Sequence, residues 1–334
     1  MQFITNRRET ICTICATLIV LFLISACSGS GSQELDEVDV QLKWVHQAQF
    51  AGFYMAQEQG FFAEKNLDVS LQAGGPEVDV LEKIISGEVD FAVYSPEDLL
   101  VARSQGKPLV AVAVLYRRNP MAFVSLQESG IKKPKDLVGN SVAVAPDGRV
   151  QFNALLKKMD LDAAQMDLVE YDYDYEGFKA GKVDVTEAYA TGGMIRLQNQ
   201  GYDLNVIWPD DYGIHFYGDA LITTEGYLDE KPGVVTRFLQ ATLRGWQEAM
   251  GNAGVAVEAT LRYASDADST VQMQMLEASV PLVHTGENYP GWMKEDIWRG
   301  MYETLLEEGM LDDPFTVEKA YTMQFLKDIY EDTE

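Results

Sequence analysis

Segments typical of strands alternate with segments typical of helices from Val38 onwards, and this alternation restricts the fold more than any other feature. "VDVQLKW" alternates apolar and polar residues like a half-buried strand, and "AGFYMAQEQGFFAEKN" follows with apolar residues at helical spacing. Further strands and helices follow, ending in the buried strand "PLVAVAVLY". Such repetition is typical of a parallel or mixed sheet covered by helices.

A second series of the same kind begins near Asn140. The stretch "SGEVDFAVYSPEDLLVARSQGKPLVAVAV" from Ser86 and the stretch "AGKVDVTEAYATGGMIRLQNQGYDLNVIW" from Ala180 share an order of strand, helix, Gln-Gly stop and strand. From Lys231 onwards the pattern is mainly helical. Because 334 residues are enough for two lobes, we predict two α/β lobes of similar plan with a cleft between them.

The N-terminus has the features of an export signal. Arg7 and Arg8 precede the apolar run "ICTICATLIVLFLISAC", which is short for a membrane span. Its end, "ISAC", resembles a bacterial lipobox, in which the cysteine is lipidated. We therefore expect residues 1–26 to be a lipoprotein signal peptide, Cys27 to carry the lipid, and residues 27–37 to form a flexible tether. An uncleaved anchor helix is the alternative.

Composition and charge exclude several functions. The formal charge of −26, from 52 acidic and 26 basic residues, disfavours nucleic-acid binding and indicates a solvated acidic surface. Two of the three cysteines fall within the predicted signal peptide, so disulfides and a cysteine nucleophile are not expected. The three histidines lack metal-site spacing, and phosphate-binding or dinucleotide-binding glycine motifs are missing from the sequence.

Several stretches together resemble a known family. "LKWVHQAQFAGFYMAQEQGFFAEKNLDVSLQAGG", "IKKPKDLVGNSVAV" and "YGIHFYGDALITTEGYLDEKPGVVTRFLQATLRGW" are similar to the thiamine-pyrimidine-precursor branch of the periplasmic substrate-binding proteins. The resemblance implies the bilobal type II periplasmic-binding-protein fold, with two crossovers, a hinge and a ligand cleft between the lobes. It places residues 38–125 and 226–334 in lobe 1 and residues 126–225 in lobe 2. It also implies an ABC importer with a membrane permease as partner.

One branch of this family is enzymatic, and its motif is not matched here. The resemblance aligns the lysine that anchors pyridoxal phosphate in the pyrimidine synthases with Tyr94, and their histidine with Asp98. The cysteine-rich stretch of those enzymes corresponds to "YGIHFYGDALI", which has no cysteine. Since Schiff-base chemistry needs a lysine amine, we predict a protein that is not an enzyme and needs no cofactor.

Candidate ligand contacts in lobe 1 follow predicted strands, because open α/β sheets bind ligands at the carboxyl ends of their strands. Aromatic rings would stack on a flat heterocycle, and amides would orient it. For the aromatic residues, core packing is the alternative. Ser95 is also a predicted helix N-cap, with Asp98 completing a capping box. These candidates are Trp44, Gln47, Gln49, Phe50, Tyr94, Ser95 and Tyr116.

Candidate contacts in lobe 2 lie at strand ends and at the return crossover. Asp147 and Arg149 flank a strand-to-helix turn whose free N–H groups suit an anion or polar edge. Glu187 would accept hydrogen bonds from an amino-pyrimidine edge, with a surface salt bridge as the alternative. Tyr189 ends the same strand. The crossover itself contributes His215 and Tyr217, either as ligand contacts or as hinge packing.

The combined prediction is a monomeric, exported, lipid-anchored receptor of an ABC importer. It would capture a small nitrogen heterocycle related to the thiamine pyrimidine by closing its lobes, without chemistry. A riboflavin-like ligand and an anion such as an alkanesulfonate remain alternatives, the anion binding mainly through Arg149. A pyrimidine synthase is a further, weaker alternative.

Overall fold

The computed structural model describes residues 35–286 and 289–331, apart from the side chain of Asp147. The predicted signal peptide, the lipidation site Cys27 and nearly all of the predicted tether lie outside the described residues. Within the described part of the chain, no helix is long and apolar enough to cross a membrane. The first strand begins at Asp36, inside the segment predicted as tether.

Two five-stranded mixed sheets organise the described chain. The order of the first is β2-β1-β3-β10-β4, and the order of the second is β7-β6-β8-β5-β9. In each sheet one strand runs antiparallel to both of its neighbours, β10 in the first sheet and β5 in the second, and the other four strands run parallel to one another. The strands are β1 Asp36–Gln41, β2 Leu67–Gln72, β3 Phe91–Tyr94, β4 Leu109–Val114, β5 Met121–Leu126, β6 Ser141–Ala143, β7 Asp167–Val169, β8 Val185–Tyr189, β9 Leu204–Ile207 and β10 Ala220–Thr224.

Helices connect the strands and then continue alone to the C-terminus, as the sequence pattern predicts. The helices are α1 Ala51–Glu58, α2 Phe61–Glu64, α3 Val80–Ser86, α4 Pro96–Ser104, α5 Arg149–Lys158, α6 Glu176–Lys179, α7 Gly193–Asn199, α8 Glu225–Glu230, α9 Pro232–Gly251, α10 Ala253–Tyr263, α11 Ser269–Val283, α12 Glu295–Glu307 and α13 Gln324–Glu331.

A close helix contact fixes the segment behind the first strand. Helix α9 packs on α1, where a Cβ on Gly52 would lie 2.3 Å from the Trp246 ring and a Cβ on Gly245 would lie 2.1 Å from the Gly52 carbonyl oxygen. Both positions therefore require glycine, since real Cβ contacts are never so short. This contact anchors the C-terminal helices to lobe 1 and holds the chain that leads out of β1.

The chain changes sheets twice. It leaves the first sheet after Val114 and enters the second at Met121, then returns before Ala220. The two crossovers lie side by side, with Leu115 N donating to Asp219 O at 2.7 Å. Strand β5 thus belongs to the second sheet and β10 to the first. Both sheet changes occur earlier in the chain than the lobe limits at 125/126 and 225/226 that the family resemblance implies.

Candidate functional site

A cavity lies where the carboxyl ends of parallel strands from both sheets meet. Lining residues come from the segment just after β1 in the first sheet, and from the segment just after β6 and the end of β8 in the second. Its empty volume is about 580 Å³, including the open mouth. The lining residues are Lys43, Trp44, Gln47, Gln49, Ala145, Tyr171, Tyr173, Tyr175, Glu187, Tyr189, Gly192, Gly193 and Arg196.

Aromatic rings from both lobes form one wall. The Trp44 ring lies 5.6 Å from the Tyr173 ring at an interplanar angle of 32°, and Tyr173 meets Tyr171 edge-on at 4.9 Å. Asp172 stabilises this loop, since its carboxylate accepts the backbone N–H groups of Asp174 and Glu176. These bonds lower the pKa of the Asp172 carboxyl. The wall is suited to stacking against a flat ring.

A buried ion pair lies at the lobe 1 side of the cavity. Lys43 Nζ lies 3.1 Å from Oδ1 of Asp219, whose side chain is only 1% exposed. The same ammonium donates to Ser95 Oγ and, across the cavity, to the Tyr189 hydroxyl in lobe 2, both at 3.1 Å. These three acceptors hold the Lys43 side chain in place, and its contact with Tyr189 joins the two lobes directly.

Two glutamines extend from this ion pair towards the cavity. Gln49 Nε2 donates to Asp219 Oδ2 at 2.6 Å, and Gln47 Nε2 donates to Gln49 Oε1 at 2.7 Å. Both glutamines are buried, and both line the cavity. Tyr116 supports them from behind, since its hydroxyl donates to the backbone oxygen of Gln49 at 3.2 Å.

Glu187 supplies an acceptor from lobe 2. Its side chain is 3% exposed, and its Oε2 accepts the backbone N–H of Ala145 at 3.0 Å. A Cβ on Gly148 would lie 1.9 Å from the same oxygen. The glycine therefore leaves the space that the carboxylate occupies, and the turn before α5 holds Glu187 in the cavity wall.

Replacing Gly148 with alanine should move the Glu187 carboxylate and weaken ligand binding by about tenfold. The added methyl group overlaps Oε2, and a displaced carboxylate loses charge-assisted bonds worth about 1.5–3 kcal/mol each. Calorimetric titration checks the affinity. Gly233→Ala, at a site where an added Cβ meets no atom within 4 Å, is the control. Unchanged affinity in Gly148→Ala would show that Glu187 does not contact the ligand.

The structure brings five of the predicted contacts together around the cavity: Trp44, Gln47, Gln49, Glu187 and Tyr189. The other lobe 1 candidates lie behind or beside it. Phe50 and Tyr116 are fully buried in the core, and Tyr94 borders a separate depression with residues 76–81.

Ser95 is buried and occupies the N-cap position of α4, as predicted, but it lacks the side-chain bond of a cap. Instead Ser95 Oγ accepts the Lys43 ammonium, because a charged donor forms the stronger bond. Ser95 therefore acts on the cavity through Lys43.

The remaining lobe 2 and crossover candidates do not line the cavity. Arg149 begins α5 and is exposed, and the side chain of Asp147 lies outside the described part of the structure. His215 is 61% exposed and bonds Asp210, while the buried Tyr217 hydroxyl accepts the backbone N–H of Lys294. His215 and Tyr217 therefore contact a surface pocket near the return crossover.

Five of the large side chains that line the cavity are not predicted from the sequence. The pattern "YDYDY" directly after β7 was a usable signal, because alternate residues of an extended segment share a side. Lys43 directly precedes Trp44, so its position just after the first strand was also a usable signal. Arg196 offers no sequence signal, since its place depends on how α7 packs. The missed side chains are Lys43, Tyr171, Tyr173, Tyr175 and Arg196.

A second contact joins the lobes beside the cavity. Glu97, at the start of α4, is 3% exposed and accepts Gln151 Nε2 of α5 at 2.9 Å. Burial, with a smaller contribution from the negative charge of Asp98, raises the pKa of the Glu97 carboxyl to about 8. Glu97 is thus largely protonated at neutral pH, which makes its burial between the lobes tolerable.

Residues 47–255 match the family model described as "NMT1/THI5 like". The chain belongs to this family. A riboflavin-binding protein of Chloroflexus aurantiacus is 26% identical over 340 residues, covering 92% of this chain and 96% of the relative. A formylaminopyrimidine-binding protein of Halalkalibacterium halodurans is 26% identical over 316 residues, covering 91% and 96%. A 4-amino-5-hydroxymethyl-2-methylpyrimidine phosphate synthase of Legionella pneumophila is 21% identical over 302 residues, covering 87% and 92%.

Solved structures confirm the predicted bilobal fold of periplasmic binding proteins. The aliphatic sulphonate binding protein of Escherichia coli aligns with a TM-score of 0.69 at 14% identity, covering 87% of this chain and 99% of the other. The nitrate-binding protein of Synechocystis aligns with a TM-score of 0.67 at 12% identity, covering 90% of each. At such identities the likeness concerns the fold.

Proposed function

We propose that this protein is the solute-binding component of an ABC importer and captures a small nitrogen heterocycle of the formylaminopyrimidine type. The observation that carries this proposal is the cavity between the two sheets, with aromatic rings and oriented polar groups from both lobes. The relative from Halalkalibacterium halodurans is named for binding such a ligand. The proposed mechanism is closure of the lobes on the ligand, without chemistry.

The lining chemistry suits a flat ring with amino groups. Trp44 and Tyr173 offer faces for stacking, and Glu187 offers a buried carboxylate on the opposite lobe. A carboxylate binds the donor edge of an aminopyrimidine through charge-assisted hydrogen bonds. Lobe closure would bring Lys43 and Tyr189 within hydrogen-bond distance, as they are here.

The charges around the cavity do not favour an anion. Lys43 is paired with Asp219, and Arg196 and Glu187 contribute one charge of each sign to the lining, so the site carries little net charge. Arg149, which an anionic ligand was expected to use, is exposed and away from the lining. An alkanesulfonate would therefore find no surplus of positive charge.

A riboflavin-like ligand is the second candidate, because the relative from Chloroflexus aurantiacus is named for binding riboflavin. The stacked aromatic wall also suits a larger flavin ring. Since the volume of about 580 Å³ includes the open mouth, the closed cavity fits a single-ring heterocycle more readily than a three-ring system. The pyrimidine remains the first candidate.

An enzymatic role has weaker support. Tyr94 occupies the position that the family resemblance gives to the cofactor lysine. Lys43, which lines the cavity, forms an ion pair with the buried Asp219, and a lysine engaged in an ion pair is a poor nucleophile. We propose binding without catalysis.

The proposed place of action is the outer face of the cell membrane. Export would depend on residues 1–26 and anchoring on a lipid at Cys27, and the following tether would keep the receptor close to its permease at high effective concentration. Mass spectrometry of the membrane fraction would test the anchor, since lipidation at Cys27 adds the mass of the attached acyl groups.

Ligand screening by thermal shift tests the ligand class. Saturating 4-amino-5-hydroxymethyl-2-methylpyrimidine or its formylamino analogue should raise the melting temperature of the purified protein by several degrees. Riboflavin, an alkanesulfonate and unrelated purines serve as comparison ligands. A shift with riboflavin alone would transfer the assignment to flavins, and a shift with the sulfonate alone would overturn the heterocycle proposal.

A further inference from the structure

The amide of Gln47 has an oxygen that receives no hydrogen bond from the described residues. Its nitrogen, Nε2, donates to Gln49 Oε1 at 2.7 Å and lies against Gly192, 3.8 Å from where a Cβ on that glycine would stand. The side chain lines the cavity and is 8% exposed. Its carbonyl oxygen is therefore an acceptor that a bound molecule can use.

The orientation of the Gln47 amide is set by the carboxylate of Asp219, to which Gln47 is linked through Gln49. A carboxylate only accepts hydrogen bonds, so Gln49 must turn Nε2 towards Asp219 Oδ2, at 2.6 Å. Gln49 Oε1 then faces Gln47, and because this oxygen is an acceptor, Gln47 donates to it through Nε2. Each step removes one of the two orientations that an amide otherwise has.

The start of this chain is held rigidly. Asp219 directly precedes β10, and its backbone oxygen accepts N–H groups of Leu115 and Tyr116 from the other crossover, at 2.7 and 3.2 Å. Lys43 neutralises its second oxygen. Because Asp219 is 1% exposed, water does not compete for its bond to Gln49.

We propose that Asp219 determines specificity: through Gln49 it orients Gln47 so that the cavity presents a carbonyl acceptor to the ligand. The site then selects heterocycles with an amino N–H donor at that edge over those with a carbonyl group there. This inference rests on the proposed function, and it assigns the selecting feature to a residue that does not itself line the cavity.

Asp219→Asn tests this relay, the hydrogen-bond chain that runs from Asp219 through Gln49 to Gln47. The new amide can turn its nitrogen towards Gln49, which lets both glutamines reverse and present an N–H group to the ligand instead. The experiment measures Kd by calorimetry for 4-amino-5-hydroxymethyl-2-methylpyrimidine and for the counterpart in which a ring carbonyl replaces the amino group. We expect the wild-type protein to prefer the amino compound by about tenfold or more, and Asp219→Asn to reduce this preference to about twofold or less.

Two further variants separate orientation from charge and folding. Gln49→Met interrupts the relay while leaving the Lys43–Asp219 pair in place, and it should relax the preference in the same way. Lys43→Met removes the cation but leaves the Asp219–Gln49–Gln47 chain, so it should lower both affinities by a similar factor and keep the preference.

The outcomes distinguish this inference from the proposed function. A wild-type protein that binds neither pyrimidine contradicts the proposed function and the relay's ligand class together. Equal binding of both pyrimidines by the wild-type protein would refute the relay and leave the proposed pyrimidine binding intact. The same conclusion would follow if the relay variants lowered the affinities for both pyrimidines by the same factor. Reduced preference in Asp219→Asn and Gln49→Met, with preference kept in Lys43→Met, supports it.

Discussion

Replacing Trp44 with alanine should weaken binding of the pyrimidine by about ten- to a hundredfold while changing the melting temperature of the ligand-free protein by only about 2 °C. Trp44 is half-buried, and its ring contacts the Tyr173 ring in the cavity wall, with 5.6 Å between the ring centroids. Loss of the ring removes a stacking surface worth about 0.5–1.5 kcal/mol beyond the apolar area that it covers. Calorimetry and thermal melting measure the two quantities.

Trp292→Ala is the matched control for this prediction. Trp292 is also half-buried, but it packs against Tyr289 and Tyr330 at a distance from the cavity. This variant should lower the melting temperature and leave the affinity unchanged. The opposite pattern for Trp44, a large loss of stability with unchanged affinity, would make Trp44 a core residue and refute its role as a stacking wall.

The second large effect concerns pH. Replacing Glu97 with glutamine should make the protein more stable than the wild type at pH 8–9 and nearly equal to it near pH 5. Glutamine has the shape of the protonated carboxyl and can keep the hydrogen bond to Gln151. Its amide does not ionise, so the stability of this variant does not depend on the protonation of residue 97. The difference should reach several degrees in melting temperature at the alkaline end.

The sign follows from the raised pKa of the carboxyl. In the unfolded chain Glu97 titrates near its ordinary pKa of 4.5, and in the folded protein its pKa is about 8. Between these values the folded state holds one more proton than the unfolded state, so this group's contribution to the unfolding free energy falls as pH rises. That contribution is fully present below about pH 4.5 and is lost as pH passes about 8.

Glu307→Gln is the control for the change in net charge. Glu307 also faces the other lobe, pairing with Lys157, but it is 67% exposed. An exposed pair contributes little to stability, so this variant should follow the wild-type pH curve. Parallel pH curves for Glu97→Gln and the wild type would show that Glu97 is ionised in the folded protein. Because Glu97 lies between the lobes, ligand affinity should weaken above pH 8 in the wild type as well.

The fold was predictable to a large extent because it depends on local patterns. Alternation along β1, the buried run of β4 and the helical spacing of α9 are properties of short segments, and they agree with the structure. The sheet changes lie earlier in the chain than the lobe limits at 125/126 and 225/226 that the family resemblance implies. Strand β5 reads as an apolar strand whichever sheet it joins, and only its antiparallel pairing with β8 assigns it to the second sheet.

The site was predictable in part, where a residue's place follows from its position after a strand. Trp44, Gln47 and Tyr189 are of this kind. Tyr116 also ends a strand, yet it turns into the core and supports Gln49 from behind. Strand-end position thus brings a residue to the correct edge, but which side of the strand it occupies depends on register with its neighbours.

The sequence by itself determined the classes of structure and chemistry: two α/β series, an acidic composition, and aromatic and amide residues behind the first strand. Only the tertiary structure decided which of those residues meet. Lys43, Asp219 and Tyr189 are distant in sequence and come within hydrogen-bond reach through two crossovers and two sheets. Such contacts depend on how separate segments pack together, and local sequence patterns carry no information about those distances.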